Sequence, residues 1–166
     1  MFFVALRVEE QLRVPRHAEE VEQVAYHSIV VPLAERERSE QGMGIACRLA
    51  ADRGTTVTAL TVIEVPVELP LDAHMLEEEG HARRILAEAG AIGDLYGVSV
   101  SPRILRGRAA GQVIVAYAHD SAAEIIVLSA PRKQRVARRA PVFGATVDFV
   151  LKHAPCRVMV AAAPAQ

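Results

Sequence analysis

The sequence predicts one α/β domain, a doubly wound parallel sheet of five strands with helices on both faces. Three observations predict it. Short runs of aliphatic and β-branched residues recur along the chain, as strands buried on both faces require. Longer segments between them carry apolar residues at helical spacing. The two kinds of segment alternate as β-α-β-α-β-α-β-α-β, a pattern that right-handed crossovers close into a parallel sheet.

Residues 1–26 mix charges with few apolar positions and are expected to be an extension or linker, with Pro15 interrupting any helix there. The domain is expected over 27–163, followed by a 164–166 tail. The first strand is Ser28–Leu33. A charged turn from Ala34 to Arg38 should follow, with Ser39 capping a helix that places Met43, Ala46, Cys47 and Ala50 on one face and stops at Gly54. The β-branched stretch Thr55–Val62 reads as the second strand. Pro66 and Pro70 mark a loop, and from Asp72 the helical period returns through Met75, Ile85 and Ile92, although Gly80, Gly90 and Gly93 weaken it. The third strand runs near Val98–Leu105. Gly107 then opens a helix carrying Ala110, Val113, Ile114 and Tyr117, or gives close approach to a ligand. Glu124–Ser129 is the fourth strand, Gly144–His153 the last helix, ended by Pro155, and Cys156–Ala161 the fifth strand.

Apolar residues make up 51% of the 166, aromatics only 4%, and there is no Trp, so the core is aliphatic. A net charge of −1 creates no field that favours nucleic acid or an anionic membrane. The longest apolar runs fall far short of the ~18 residues a membrane span needs, and Met1–Leu6 is too short for a signal-peptide core, so the expected location is the cytoplasm. Cys47 and Cys156 have no metal pattern and read as reduced, buried thiols. The six histidines lack metal-site spacing, no Gly-x-Ser-x-Gly elbow occurs, and no acid/base pair stands out. The chemistry therefore reads as binding rather than catalysis.

In open parallel sheets, ligands bind beyond the carboxyl ends of the strands at the switch point. The turn after Leu33, the region near Val62 and the loop after Leu128 should meet there. That loop carries Arg132, Lys133, Arg135, Arg138 and Arg139 with no acid among them. These cations either surround an anion near the Gly144 helix start or form a solvated face. Nucleic acid is not expected, because no aromatics interleave with the charges. Thr146 either bonds a phosphate or caps its helix.

The segments Ile29–Leu33, Glu124–Ser129, Gly144–Val147 and Leu151–Val160 resemble the universal stress protein family, and the resemblance covers about 27–163. It implies the strand order 3-2-1-4-5 of the adenine-nucleotide α-hydrolase-like fold and a homodimer paired through the last strands. Many members of that family bind ATP, using an Asp after the first strand, backbone near the end of the second, and a Gly-x2-Gly-x9-Gly-[Ser/Thr] motif. Here Ala34 stands in place of the Asp. The earlier glycines are replaced by Pro131 and Gln134, or by Ser129 and Arg132 when the strand ends are aligned. The final pair reads Gly144-Ala145, with the hydroxyl displaced to Thr146. The resemblance thus implies a regulatory module with a degenerate ATP motif. Adenine would sit near Pro32, Leu33, Ala34 and Val62, and phosphates would meet Ser129, Ala130, Arg132, Lys133, Gly144, Ala145 and Thr146. ATP, AMP or a cyclic nucleotide are the candidate ligands, with loss of all binding as the alternative. The stretches Ser129–Lys133 and Val142–Leu151, with an opening Ala5–Pro15, are also similar to universal stress domains fused behind amino-acid permeases. That similarity suggests a second reading, a protein-interaction domain that regulates a transporter without nucleotide.

Overall fold

The structure, a computed structural model, describes residues 25–34, 36–130 and 144–162, with backbone alone at 36–39. Among these, nine elements alternate: β1 Ile29–Pro32, α1 Arg36–Ala51, β2 Val57–Glu64, α2 Leu76–Tyr96, β3 Val100–Gly107, α3 Ala110–Asp120, β4 Ile125–Ser129, α4 Ala145–His153 and β5 Arg157–Ala161. The strands form one five-stranded sheet in the order β3-β2-β1-β4-β5, all neighbours parallel. This is the predicted fold and strand order. Because β1 lies centrally and the chain then crosses to β4, the switch point falls between β1 and β4.

The sheet separates two aliphatic layers. On one face Ile29, Val31, Val57, Ala59, Ile125 and Val127 pack under α1 and α2, against Met43, Cys47, Ile85 and Ala89. On the other, Val30, Leu60, Ile126 and Leu128 meet Ile114, Ala118, Val147 and Val150 of α3 and α4. Alternate residues of each strand serve opposite layers, so the central strands need continuous apolar sequence. Both cysteines are free; Cys47 is buried and Cys156 half-buried. Desolvation pushes both thiols up, opposed at Cys156 by a hydrogen bond with the Ile126 backbone.

Several boundaries differ from the sequence expectation. The first helix begins by Arg36 rather than after Ser39, which lies inside its opening turn; the charged residues read as a turn are good helix formers. β2 and β3 each begin and end about two residues later than expected. Thr55 is occupied in a bond to the Tyr26 carbonyl (2.9 Å), and Val57 starts the ladder opposite Ile29. α2 begins at Leu76 instead of Asp72, because Arg106 takes the Leu71 and Ala73 carbonyls (3.5 and 2.6 Å) that a helical turn would use. Once started, it runs through Gly80, Gly90 and Gly93 without a break and ends at left-handed Gly97. Gly107 does not open α3. It closes β3, and a Cβ there would stand 2.2 Å from a Val113 methyl, so the residue serves close strand–helix packing.

Candidate functional site

The carboxyl ends of β1, β2 and β4 open into a cleft of about 760 Å³, walled by α2 on one side and by the starts of α3 and α4 on the other. Its position follows from the topology. Loops after β1 and β4 leave in opposite directions, and their separation leaves a crevice above the strand ends.

Of the eleven site residues expected from the sequence, eight line this cleft: Pro32, Leu33, Ala34, Val62, Ser129, Gly144, Ala145 and Thr146. Ala130 does not. Its N–H donates to the Ala161 carbonyl at 2.7 Å and extends the β4–β5 ladder instead. Arg132 and Lys133 lie outside the described residues. Leu33 is held by its own N–H, which donates to the Leu60 carbonyl (2.8 Å) and ties the β1 turn to β2. At the end of β4, α1 passes so closely that a Cβ on Gly42 would stand 2.7 Å from Ser129 Oγ. A side chain there would have to displace the serine that lines the cleft.

α4 starts at Gly144, with φ 83° and ψ 161°, a backbone that glycine adopts without the steric cost other residues incur. Its N-cap residue, Gly144, has no side chain with which to cap it, and the positive end of the helix faces the cleft. Thr146 makes no side-chain hydrogen bond among the described residues. α3 also starts on the cleft, yet its first N–H, that of Ala110, donates to Glu64 Oε1 at 2.6 Å. Glu64 is the last residue of β2, so the strand itself delivers the cap.

Sequence reasoning missed the α2 wall. Glu77, Glu78, His81 and Arg84 border the cleft. Their helical spacing was visible, but only packing against β2 turns that face toward the crevice. Thr61 was also missed. It lines the cleft, is 5% exposed, and its Oγ1 has no hydrogen-bond partner among the described residues. A lone Thr in an apolar strand carries no signal of that kind. Also among the described residues, no group of three or more His, Cys, Asp or Glu side chains could hold a metal ion, and no helix is long and apolar enough to cross a membrane.

Comparison with solved structures shows the same fold. A universal stress protein from Archaeoglobus fulgidus is 21% identical with a TM-score of 0.70, covering 82% of this chain and 98% of that one. A universal stress protein from the same organism in complex with dAMP gives 21% and 0.66, covering 83% and 99%. A universal stress protein in complex with cAMP gives 18% and 0.66, covering 84% and 98%. No curated protein matches the chain. The family model for universal stress proteins matches residues 25–162, most of the chain and the whole of the sheet with its cleft, so the chain belongs to the universal stress protein family.

Proposed function

We propose that this domain is a regulatory module that binds an adenine nucleotide weakly in the cleft at the carboxyl ends of β1, β2 and β4, without catalysing its turnover. The observation that carries the reading is the convergence of Pro32–Ala34, Val62, Ser129 and Gly144–Thr146 on one cleft beside an uncapped helix start. Similar folds holding dAMP and cAMP support it. The base would rest on the β1 turn and Val62, and the phosphates on the α4 start, with Arg132 and Lys133 supplying charge in place of the missing glycine N–H groups. Weak affinity follows from Ala34, which offers no carboxylate to a ribose or base. The setting for such a module is the cytoplasm.

Calorimetric titration of nucleotide-stripped protein with ATP, AMP and cyclic AMP tests this. Saturable heat with any of them supports the reading. No heat and no thermal shift with all three would sink it and leave the second reading, an interaction domain that regulates a transporter without nucleotide. Ala34 in place of an acid favours that reading.

The domain would act as a homodimer through β5, a sheet-edge strand whose Val158, Met159 and Val160 are only half-buried. An edge of this kind offers unpaired backbone to a second copy. Val158→Asp should shift the species from dimer to monomer in sizing chromatography; an unchanged dimer places the interface elsewhere.

A further inference from the structure

The connection between β2 and α2 is long, rigidly held and apolar on its outside. It consists of two successive tight turns, with Leu69 N–H donating to the Pro66 carbonyl (3.1 Å) and Ala73 N–H to the Pro70 carbonyl (3.0 Å). Two arginines from the end of β3 and just beyond fasten it. Arg106 binds the Ala73 carbonyl at 2.6 Å and pairs with Glu79. Arg108 binds the Val65 carbonyl at 3.0 Å and also the Pro66 carbonyl. Inside, Val65 packs with Ile63, Ala82 and Met75. Outside, Val67, Leu69, Leu71 and Leu76 are 78, 41, 48 and 76% exposed. Four large aliphatic side chains on ten consecutive residues form a local concentration of exposed apolar surface, and that is a mark of an interaction site. A segment fastened before binding has little ordering entropy left to lose.

Charge says what covers it. Glu68, Asp72, Glu77 and Glu78 are interspersed with these side chains, all exposed. None of the four has an ion pair among the described residues, while Arg83 and Arg106 are engaged on Glu79 and Arg108 on carbonyls; Arg84 stands further along α2, on the cleft wall. A second copy docking through a twofold axis would bring this acidic set against itself. An anionic membrane would be repelled. We propose that residues 66–78 are a docking surface for a cationic, amphipathic helical segment of a partner protein, with leucine-type side chains seated on Val67, Leu69, Leu71 and Leu76 and its Lys or Arg residues meeting the four acids. The proposal does not depend on nucleotide binding.

The test uses the full chain and a fluorescent 18-residue peptide of Leu and Lys at helical period, read by anisotropy. Two control peptides carry Glu in place of Lys, or the same Leu and Lys scrambled out of helical register. The Lys/Leu helix should bind saturably and both controls at least tenfold more weakly. Leu69→Ser with Leu71→Ser should weaken binding tenfold or more at unchanged melting temperature, since both side chains are already exposed, and Glu77→Lys with Glu78→Lys should do the same. Leu95→Ser, which removes a still more exposed leucine at the far end of α2, should change nothing. Equal binding by wild type and the two double variants overturns the proposal, as does equal binding of the Glu peptide. Loss of a dimer in Leu69→Ser with Leu71→Ser would overturn it in favour of a second copy. Co-sedimentation with phosphatidylcholine–phosphatidylserine vesicles, abolished by the same double change, would overturn it in favour of a membrane surface.

Discussion

α3 and α4 both start at the carboxyl end of the sheet, both border the cleft, and neither is capped by the residue at its own N-cap position, Ala109 or Gly144. They differ in what meets their first N–H groups. Glu64 reaches from β2 to Ala110 and brings a carboxylate to the positive end of α3. At α4 a glycine of positive φ turns the chain and has no side chain to put in that place. The fold therefore gives the cleft a polarity. An anion is repelled from the α3 side by Glu64 and attracted to the α4 side, although the two helix ends are alike in backbone chemistry. A ligand with one negative end would be favoured with that end at α4.

The largest expected effect comes from breaking the α4 side. Gly144→Val forces a β-branched residue to positive φ, at a cost of about 1–3 kcal/mol, and crowds the helix start. Chemical denaturation should show the loss, and calorimetry should show nucleotide heat abolished. Retained affinity would mean that the anion sits elsewhere. Next is the α3 side. Glu64→Ala should cost about 1 kcal/mol, or ~2–4 °C in melting temperature, and should tighten nucleotide binding by removing a repulsive charge. Glu64→Gln, which keeps an acceptor for Ala110, should recover most of the stability. Similar melting of the Ala and Gln variants would show that the 2.6 Å contact contributes nothing.

Thr61 lines the cleft from β2, two residues on from Ala59 and so on the face of the sheet that α1 and α2 cover. Thr61→Val removes a buried hydroxyl that has no partner among the described residues and keeps the shape, so stability should rise by up to ~1 kcal/mol. A fall in melting temperature would reveal a partner for Oγ1. The smallest effect is in the clasp between α2 and β3, at Glu79. The Met75 N–H first, and then the Arg106 guanidinium, hold its carboxyl below the usual glutamate range against a raising contribution from desolvation. Its contribution to order is therefore present above the ordinary glutamate pKa and is lost as pH falls through the depressed folded value. Limited proteolysis near residues 66–75 should quicken in that acid window in wild type and be fast at every pH in Glu79→Gln. Cleavage that is equally slow in both at neutral pH would remove Glu79 from the clasp.

Much of the cleft was legible before the fold was known. The aliphatic runs at 29–32 and 125–129 could hardly be anything but central strands, and two central strands separated by a crossover fix the switch point. From there Leu33, Ser129 and Gly144 follow by counting. Ala130 went astray because one residue decides whether an N–H points into the ladder or the crevice, and the length of β5 settles that. The start of α2 went astray because Asp72–Met75 is helical by pattern. Arg106, distant in sequence, takes the carbonyls that the pattern would use.

The sequence by itself determined the class of fold, the order of elements and which strands are buried on both faces, because hydrophobic period and glycine or proline punctuation are local and each strand's surroundings are written in its own residues. Tertiary structure alone decided that Glu64 caps α3, that Thr61 Oγ1 has no partner among the described residues, and that the acidic turn of α2 borders the cleft while four aliphatic side chains beside it stay exposed. Each of those depends on a register or a crossing between segments dozens of residues apart. A polar group's worth is set by what stands within hydrogen-bond distance of it, which no local pattern records.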